Sequence, residues 1–149
     1  MIHKKEVYSL FLQQLDEKIH IFQSNMDDLS HSIMNETKST AGDKHETALA
    51  MLQREQSHVS KQLQLVIAQK KVLTQLALYQ QGEWITRGSL VKTSMGYFYV
   101  GVAMPKVTIE RATVIGISSE SPLGMALLGK KIGEHIMVNG QKHAIETIW

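Results

Sequence analysis

The sequence predicts an α+β protein in two parts. An antiparallel coiled-coil helical hairpin spans residues 1–80, and a small antiparallel-sheet domain with one short helix spans residues 81–149. Three observations carry this. Tyr8, Leu12, Leu15, Ile19, Phe22, Met26, Leu29 and Ile33 step by four and three in strict alternation, the seam of a coiled coil. Leu49, Leu52, Gln56, Val59, Leu63, Val66, Lys70 and Leu73 repeat that alternation with two polar interruptions. From Gln81 the texture changes: β-branched and aromatic residues rise and glycines recur.

The two seams share one mirror point. Paired antiparallel, Ile33 meets Leu49, Met26 meets Gln56, Leu15 meets Val66 and Tyr8 meets Leu73. Every such pair of sequence numbers adds to 81 or 82, so one fold-back near Ala41 satisfies the whole register. The first helix is expected over about Lys4–Glu36, which no Gly or Pro interrupts. Phe11 and Ile21, off the strict seam, suggest extra packing near the open end. Thr37–Gly42 reads as the turn, with Gly42 free to take a left-handed backbone angle. The second helix follows from about Asp43 to Gln80, and residues 38–46 form the tip. At about 1.5 Å per residue each arm is on the order of 50 Å long, more than a small core needs. Gln56 and Lys70 are tolerable in the seam, Gln56 along Met26 and Lys70 by snorkelling past Leu12, and they help fix register. His20, His31 and His58 lack ligand spacing to one another and read as ordinary arm residues.

In the second part, strands are expected over Trp84–Arg87, Leu90–Thr93 and Tyr97–Ala103, with a turn at Met95-Gly96. Val107–Ser118 holds another strand or two. Ser121-Pro122 has the form of an N-cap followed by proline at the first helical position, opening a helix over Leu123–Leu128 that Gly129 ends. Glu134–Val138 and Lys142–Ile148 flank Asn139-Gly140, a two-residue hairpin signal. Pro105 and Pro122 both stand at plausible element boundaries.

Composition narrows the function classes. The net charge of the 149 residues is only +2, which gives no global electrostatic case for nucleic acid. The charge is uneven: residues 1–46 hold 5 Lys and Arg against 8 Asp and Glu, and the remainder holds 11 against 6. With no cysteine there is neither a disulfide framework nor a thiolate zinc site. The N-terminus has no apolar core of a signal peptide, and no apolar run approaches the roughly 18 residues of a membrane span. A soluble, cytoplasmic protein is expected.

Asp43 and Glu46 stand three apart at the start of a helix and so share a face. One reading is a capping box, in which acids simply favour the helix N-terminus. The other is half of a magnesium site, two hard carboxylates whose remaining ligands come from water or another molecule. Both can hold together. His45 adds little to such a site. No Gly-rich phosphate loop precedes a helix, and Gly116-Ile117-Ser118-Ser119 lacks the nucleophile-elbow pattern. Lys130-Lys131 reads as a solvated helix end or part of a docking surface. Lys38, Lys44 and Arg54 read as surface charge near the tip, the basic residues placed to meet a phosphate there.

Two stretches resemble the Gre family of bacterial transcript-cleavage factors. Gly42-Asp43-Lys44-His45-Glu46-Thr47-Ala48 is similar to the family's Gly-Asp-x-x-Glu-Asn-Ala tip. Ile117–Glu134, with Ser121-Pro122 and Ala126-Leu127-Leu128-Gly129-Lys130, is similar to its Ser-Pro and Ala-Leu-Leu-Gly-Lys signature. The order of parts agrees over nearly the whole chain. The resemblance implies an FKBP-like C-terminal domain that is not a prolyl isomerase. It implies a factor that docks on RNA polymerase through the loop holding Ser121 and Pro122. The hairpin then enters the secondary channel, where Asp43 and Glu46 help hold a Mg²⁺ shared with the polymerase. The polymerase, rather than this chain alone, cleaves the 3′ end of a backtracked transcript. Contact with the nascent RNA is indirect, and no membrane or small-molecule substrate is implied. Thr47 and Leu49 stand where the family often has Asn and an acid, and Gly82–Arg111 matches loosely. Two alternatives stay open: a factor that occupies the channel without promoting cleavage, and a coiled-coil adaptor whose tip acids only cap a helix.

Overall fold

A computed structural model describes residues 2–38, 42–77 and 82–149, with the backbone alone at 42–45. Two long helices, α1 (Lys4–Thr37) and α2 (Gly42–Leu76), pack together and are followed by a six-stranded sheet carrying one short helix. The chain divides into two compact units, Gln14–Ala68 and Met1–Gln13 with Gln69–Trp149.

In the unit Gln14–Ala68, burial follows the seam. On α1 the positions Leu15, Ile19, Phe22, Met26, Leu29 and Ile33 are all buried or half-buried, and only Gln14 and Glu36 join them. On α2 the corresponding residues are Leu49, Leu52, Gln56, Val59, Leu63 and Val66. Leu15, Val59 and Val66 are the most deeply buried. The Gln56 amide donates to Ser30 Oγ at 3.4 Å, one turn towards the end of α1 from its expected neighbour Met26. Helical side chains lean towards their own N-terminus, which carries Gln56 in that direction. The expected turn lies largely at residues 39–41, outside the described residues. Gly42 is the first residue of α2 rather than part of the turn.

In the other unit, the first turns of α1 and the last turns of α2 belong with the sheet. Val7, Phe11, Leu73 and Leu76 are buried there. Phe11 meets Tyr99 edge to face, with ring centroids 5.7 Å apart. The Gln69 amide donates to the Ala103 carbonyl at 3.2 Å. Helix α2 ends at Leu76, short of the expected Gln80, and residues 78–81 lie outside the described residues.

The strands are β1 (Leu90–Thr93), β2 (Gly96–Val100), β3 (Met104–Ile109), β4 (Ala112–Ile117), β5 (His135–Val138) and β6 (Gln141–Ile148), with α3 (Pro122–Leu127) between β4 and β5. Their order across the sheet is β3-β4-β2-β1-β6-β5. The segment Trp84–Arg87, expected as a strand, makes only an isolated bridge between Trp84 and Lys131. The sheet is mixed rather than wholly antiparallel, because β2 and β4 run parallel, from Tyr97 beside Val114 to Val100 beside Ile117. The cause is local. The link after β2 lies against β4 at Gly116, where an added Cβ would stand 2.6 Å from the Val102 carbonyl oxygen and 2.7 Å from Met104 Cβ. With no side chain at that point, the link reaches the edge as β3, and β4 returns between β3 and β2. Pro105 sits in β3, an edge strand, beside a register shift between Met104 and Val107. The Asn139-Gly140 hairpin forms as expected: both residues have positive φ, and Val138 pairs with Gln141. One core of this unit gathers Ile85, Val91, Phe98, Val100, Leu127, Ile136 and Ile145, with Leu123 and Ala126 of α3 packed on it.

Candidate functional site

The two stretches singled out by the sequence fall in different units. Asp43 and Glu46 lie in the first two turns of α2, which starts at Gly42. Helical spacing places the two positions on one face, next to backbone N–H groups that have no partner within the helix. Glu46 is exposed. The Asp43 side chain lies outside the described residues, as do those of Lys44 and His45. Because the helix begins one residue before Asp43, that residue stands inside the first turn rather than at the cap. An acid at such a position in general gains from the helix dipole. Among the described residues, no group of three or more His, Asp or Glu side chains comes together that could hold a metal ion.

The Ser118–Gly124 loop is closed by a set of short contacts. Ser121 is the N-cap of α3 and Pro122 opens the helix, as the residue types dictate. The Ser121 hydroxyl donates to the Ser118 carbonyl at 2.7 Å and accepts from the Gly124 N–H at 3.0 Å. The Glu120 N–H donates to Ser118 Oγ at 3.2 Å. Ser121 is therefore occupied internally, whereas the Pro122 ring is exposed. A Cβ at Gly124 would stand 2.0 Å from the Ser118 carbonyl oxygen, so only glycine permits this closure. Gly124→Ala is expected to cost about 1–3 kcal/mol and to open the loop. A lower melting temperature and faster amide exchange over residues 118–124 check this.

Lys131, read from sequence as a solvated helix end, is held more specifically. Its ammonium stands 3.8 Å from the centre of the half-exposed Trp84 ring, and its backbone N–H donates to the Glu134 carboxylate at 2.6 Å. Its ion pair with Glu83, at 3.8 Å and largely exposed, adds little. The Trp84–Lys131 pair was invisible in sequence because the partners are far apart in the chain and are brought together by the isolated bridge between them. No described helix is long and apolar enough to cross a membrane.

The fold and these two stretches define an α+β protein in which a long helical pair carries an acidic motif at the start of its second helix. Among solved structures, the chain is similar to that described as the structure of the transcription factor Gfh1. They are 17% identical over 93% of this chain and 92% of that one, with a TM-score of 0.37. The superposition is loose, and this likeness by itself assigns neither family nor function. No protein-family model matches the sequence, and no curated protein matches it significantly.

Proposed function

We propose that this chain is an accessory factor of RNA polymerase that stimulates cleavage of backtracked transcripts. The observation that carries the reading is the placement of Asp43 and Glu46. The Gly-Asp-x-x-Glu motif opens the second of two long packed helices, with Glu46 exposed. Two carboxylates on one helix face suit Mg²⁺, a hard cation that takes oxygen ligands and keeps several waters. They make an incomplete site, so the remaining ligands come from the polymerase. When bound there, Mg²⁺ supplies electrophilic stabilisation of the phosphodiester and lowers the pKa of water. This chain's part is to deliver two negative oxygens, held on a helix, to a partner's active centre.

Docking is assigned to the Ser118–Gly124 loop. Its backbone is fixed by the Ser121 contacts, and Pro122 offers an exposed, rigid apolar ring. Pro122→Glu is expected to weaken binding to RNA polymerase by roughly tenfold or more, the scale of one central interface contact. The isolated protein should keep its melting temperature to within a few degrees. Unchanged affinity for polymerase removes this loop from the interface.

A second reading rests on Thr47 and Leu49, which occupy places where the resembled family often has Asn and an acid. It makes the chain a channel occupant that regulates polymerase without promoting cleavage. A stalled, backtracked elongation complex incubated with and without the protein separates the two: stimulated 3′ cleavage supports the first, and competition for the channel without cleavage supports the second. Failure to co-purify with polymerase removes both.

A further inference from the structure

Within the unit that holds the sheet, the first turns of α1 and the end of α2 meet β2 around a cavity of about 380 Å³. Lys4, Lys5, Tyr8, Ala77 and Tyr99 line it. Small-molecule sites have this size and are mostly apolar with a few placed polar groups. The wall here is largely apolar.

Two unmet demands converge on this cavity. The Tyr99 side chain is fully buried, and among the described residues its hydroxyl has no hydrogen-bond partner. A buried hydroxyl left unpaired is destabilising, and such groups are rare without a reason. Burial, and then the neighbouring Tyr8 phenol, push its pKa up to about 12, so it is a standing proton donor near neutral pH. Lys4 is half-buried, and desolvation pulls its pKa down. Among the described residues that line the cavity none is acidic, and the second ammonium there is that of the exposed Lys5. A buried hydroxyl with nothing to donate to and a half-buried cation on an apolar wall are both answered by one kind of molecule.

We infer that this cavity binds a small monocarboxylate with an apolar body. The carboxylate accepts from the Lys4 ammonium and, once the wall opens, from the Tyr99 hydroxyl, and the apolar body lies against the Tyr8 side chain and Ala77. A phosphate dianion suits the site less well, because the wall is apolar and one of the two cations is already solvated. The Tyr99 hydroxyl is buried, so contact with it requires side chains of the cavity wall to change rotamer, an ordinary side-chain motion. This site stands independently of the polymerase reading.

The test titrates octanoate, 1-octanol and acetate into the full chain, followed by calorimetry and by the shift in melting temperature. Octanoate is expected to bind roughly tenfold or more tighter than octanol, which lacks the charge, and than acetate, which lacks the body. Lys4→Gln should weaken octanoate roughly tenfold, the loss of one charge-assisted hydrogen bond, and leave octanol unchanged. Tyr99→Phe removes only the unpartnered oxygen. It should raise the melting temperature of the ligand-free protein, which also shows that the variant folds, while weakening octanoate severalfold. Absence of octanoate binding, octanol binding as tightly as octanoate, or octanoate affinity unaltered in both variants overturns the proposal.

Discussion

With both tip acids neutralised, as Asp43→Asn and Glu46→Gln together, the protein is expected to stay bound to RNA polymerase and to lose stimulated transcript cleavage by about 100-fold or more. That is the scale of removing an electrostatic group aimed at a reacting centre. The variant separates a structural acid from a functional one. Helix α2 begins at Gly42, so Asp43 stands in the first turn, a position where an acid generally gains about 0.3–1 kcal/mol from the helix dipole. Asparagine forfeits that and little else, and Glu46→Gln keeps the side chain's shape and helix propensity. If the acids serve only the helix, the double variant loses about 1 kcal/mol or less and retains full activity. If they supply ligands to a shared Mg²⁺, activity collapses while melting temperature and polymerase affinity barely change. In either single variant, raising Mg²⁺ should restore part of the rate, because mass action compensates for a weakened ligand. Cleavage of a stalled elongation complex at several Mg²⁺ concentrations reads all three quantities, and a double variant as active as the parent would falsify the metal-ligand role.

Leu15→Asp is expected to destabilise the helical pair by about 3–5 kcal/mol, combining a lost buried leucine with a charge that has no partner. Leu15 is 1% exposed, and its expected neighbour across the seam, Val66, is 6% exposed, both within the unit Gln14–Ala68. The loss should depend on pH with a definite sign. Burial raises the pKa of the introduced carboxyl above its unfolded value, so the folded state holds the proton more tightly. The penalty is smallest below the ordinary aspartate range of about 4 and grows as pH rises through the raised folded pKa. Ser57→Asp, on the exposed face of α2, is the control and should change stability by no more than about 0.5 kcal/mol. Thermal melts by far-UV circular dichroism at two pH values decide it. Equal effects at Leu15 and Ser57 would remove the seam assignment.

What was legible in the sequence is what consecutive residues encode locally. The four-and-three alternation marked the buried stripe of both helices, because side chains at those steps share one face. Asn139-Gly140 marked a hairpin because both positions need positive φ, which these residues tolerate. Ser121-Pro122 marked the start of α3 because the hydroxyl meets a free N–H and proline lacks one that would be wasted. Asp43 and Glu46 were legible as two positions on one helix face for the same reason of spacing.

Only the tertiary structure decided the rest. The β3–β4 hairpin turns at Glu110-Arg111, both with positive φ, and neither residue type signals a turn of that kind. The pairing on either side enforces it, from Ile109 beside Ala112 inward. The parallel β2–β4 pair depends on the link through Val102 lying against Gly116, a contact between residues fourteen apart in the chain. Likewise, the cavity joins Lys4, Ala77 and Tyr99, which no periodicity connects. Periodicity reports which face of an element is buried. It does not report what that face is buried against, because that is set by packing between segments distant in sequence, where shape and the absence of a single Cβ decide which strand lies beside which.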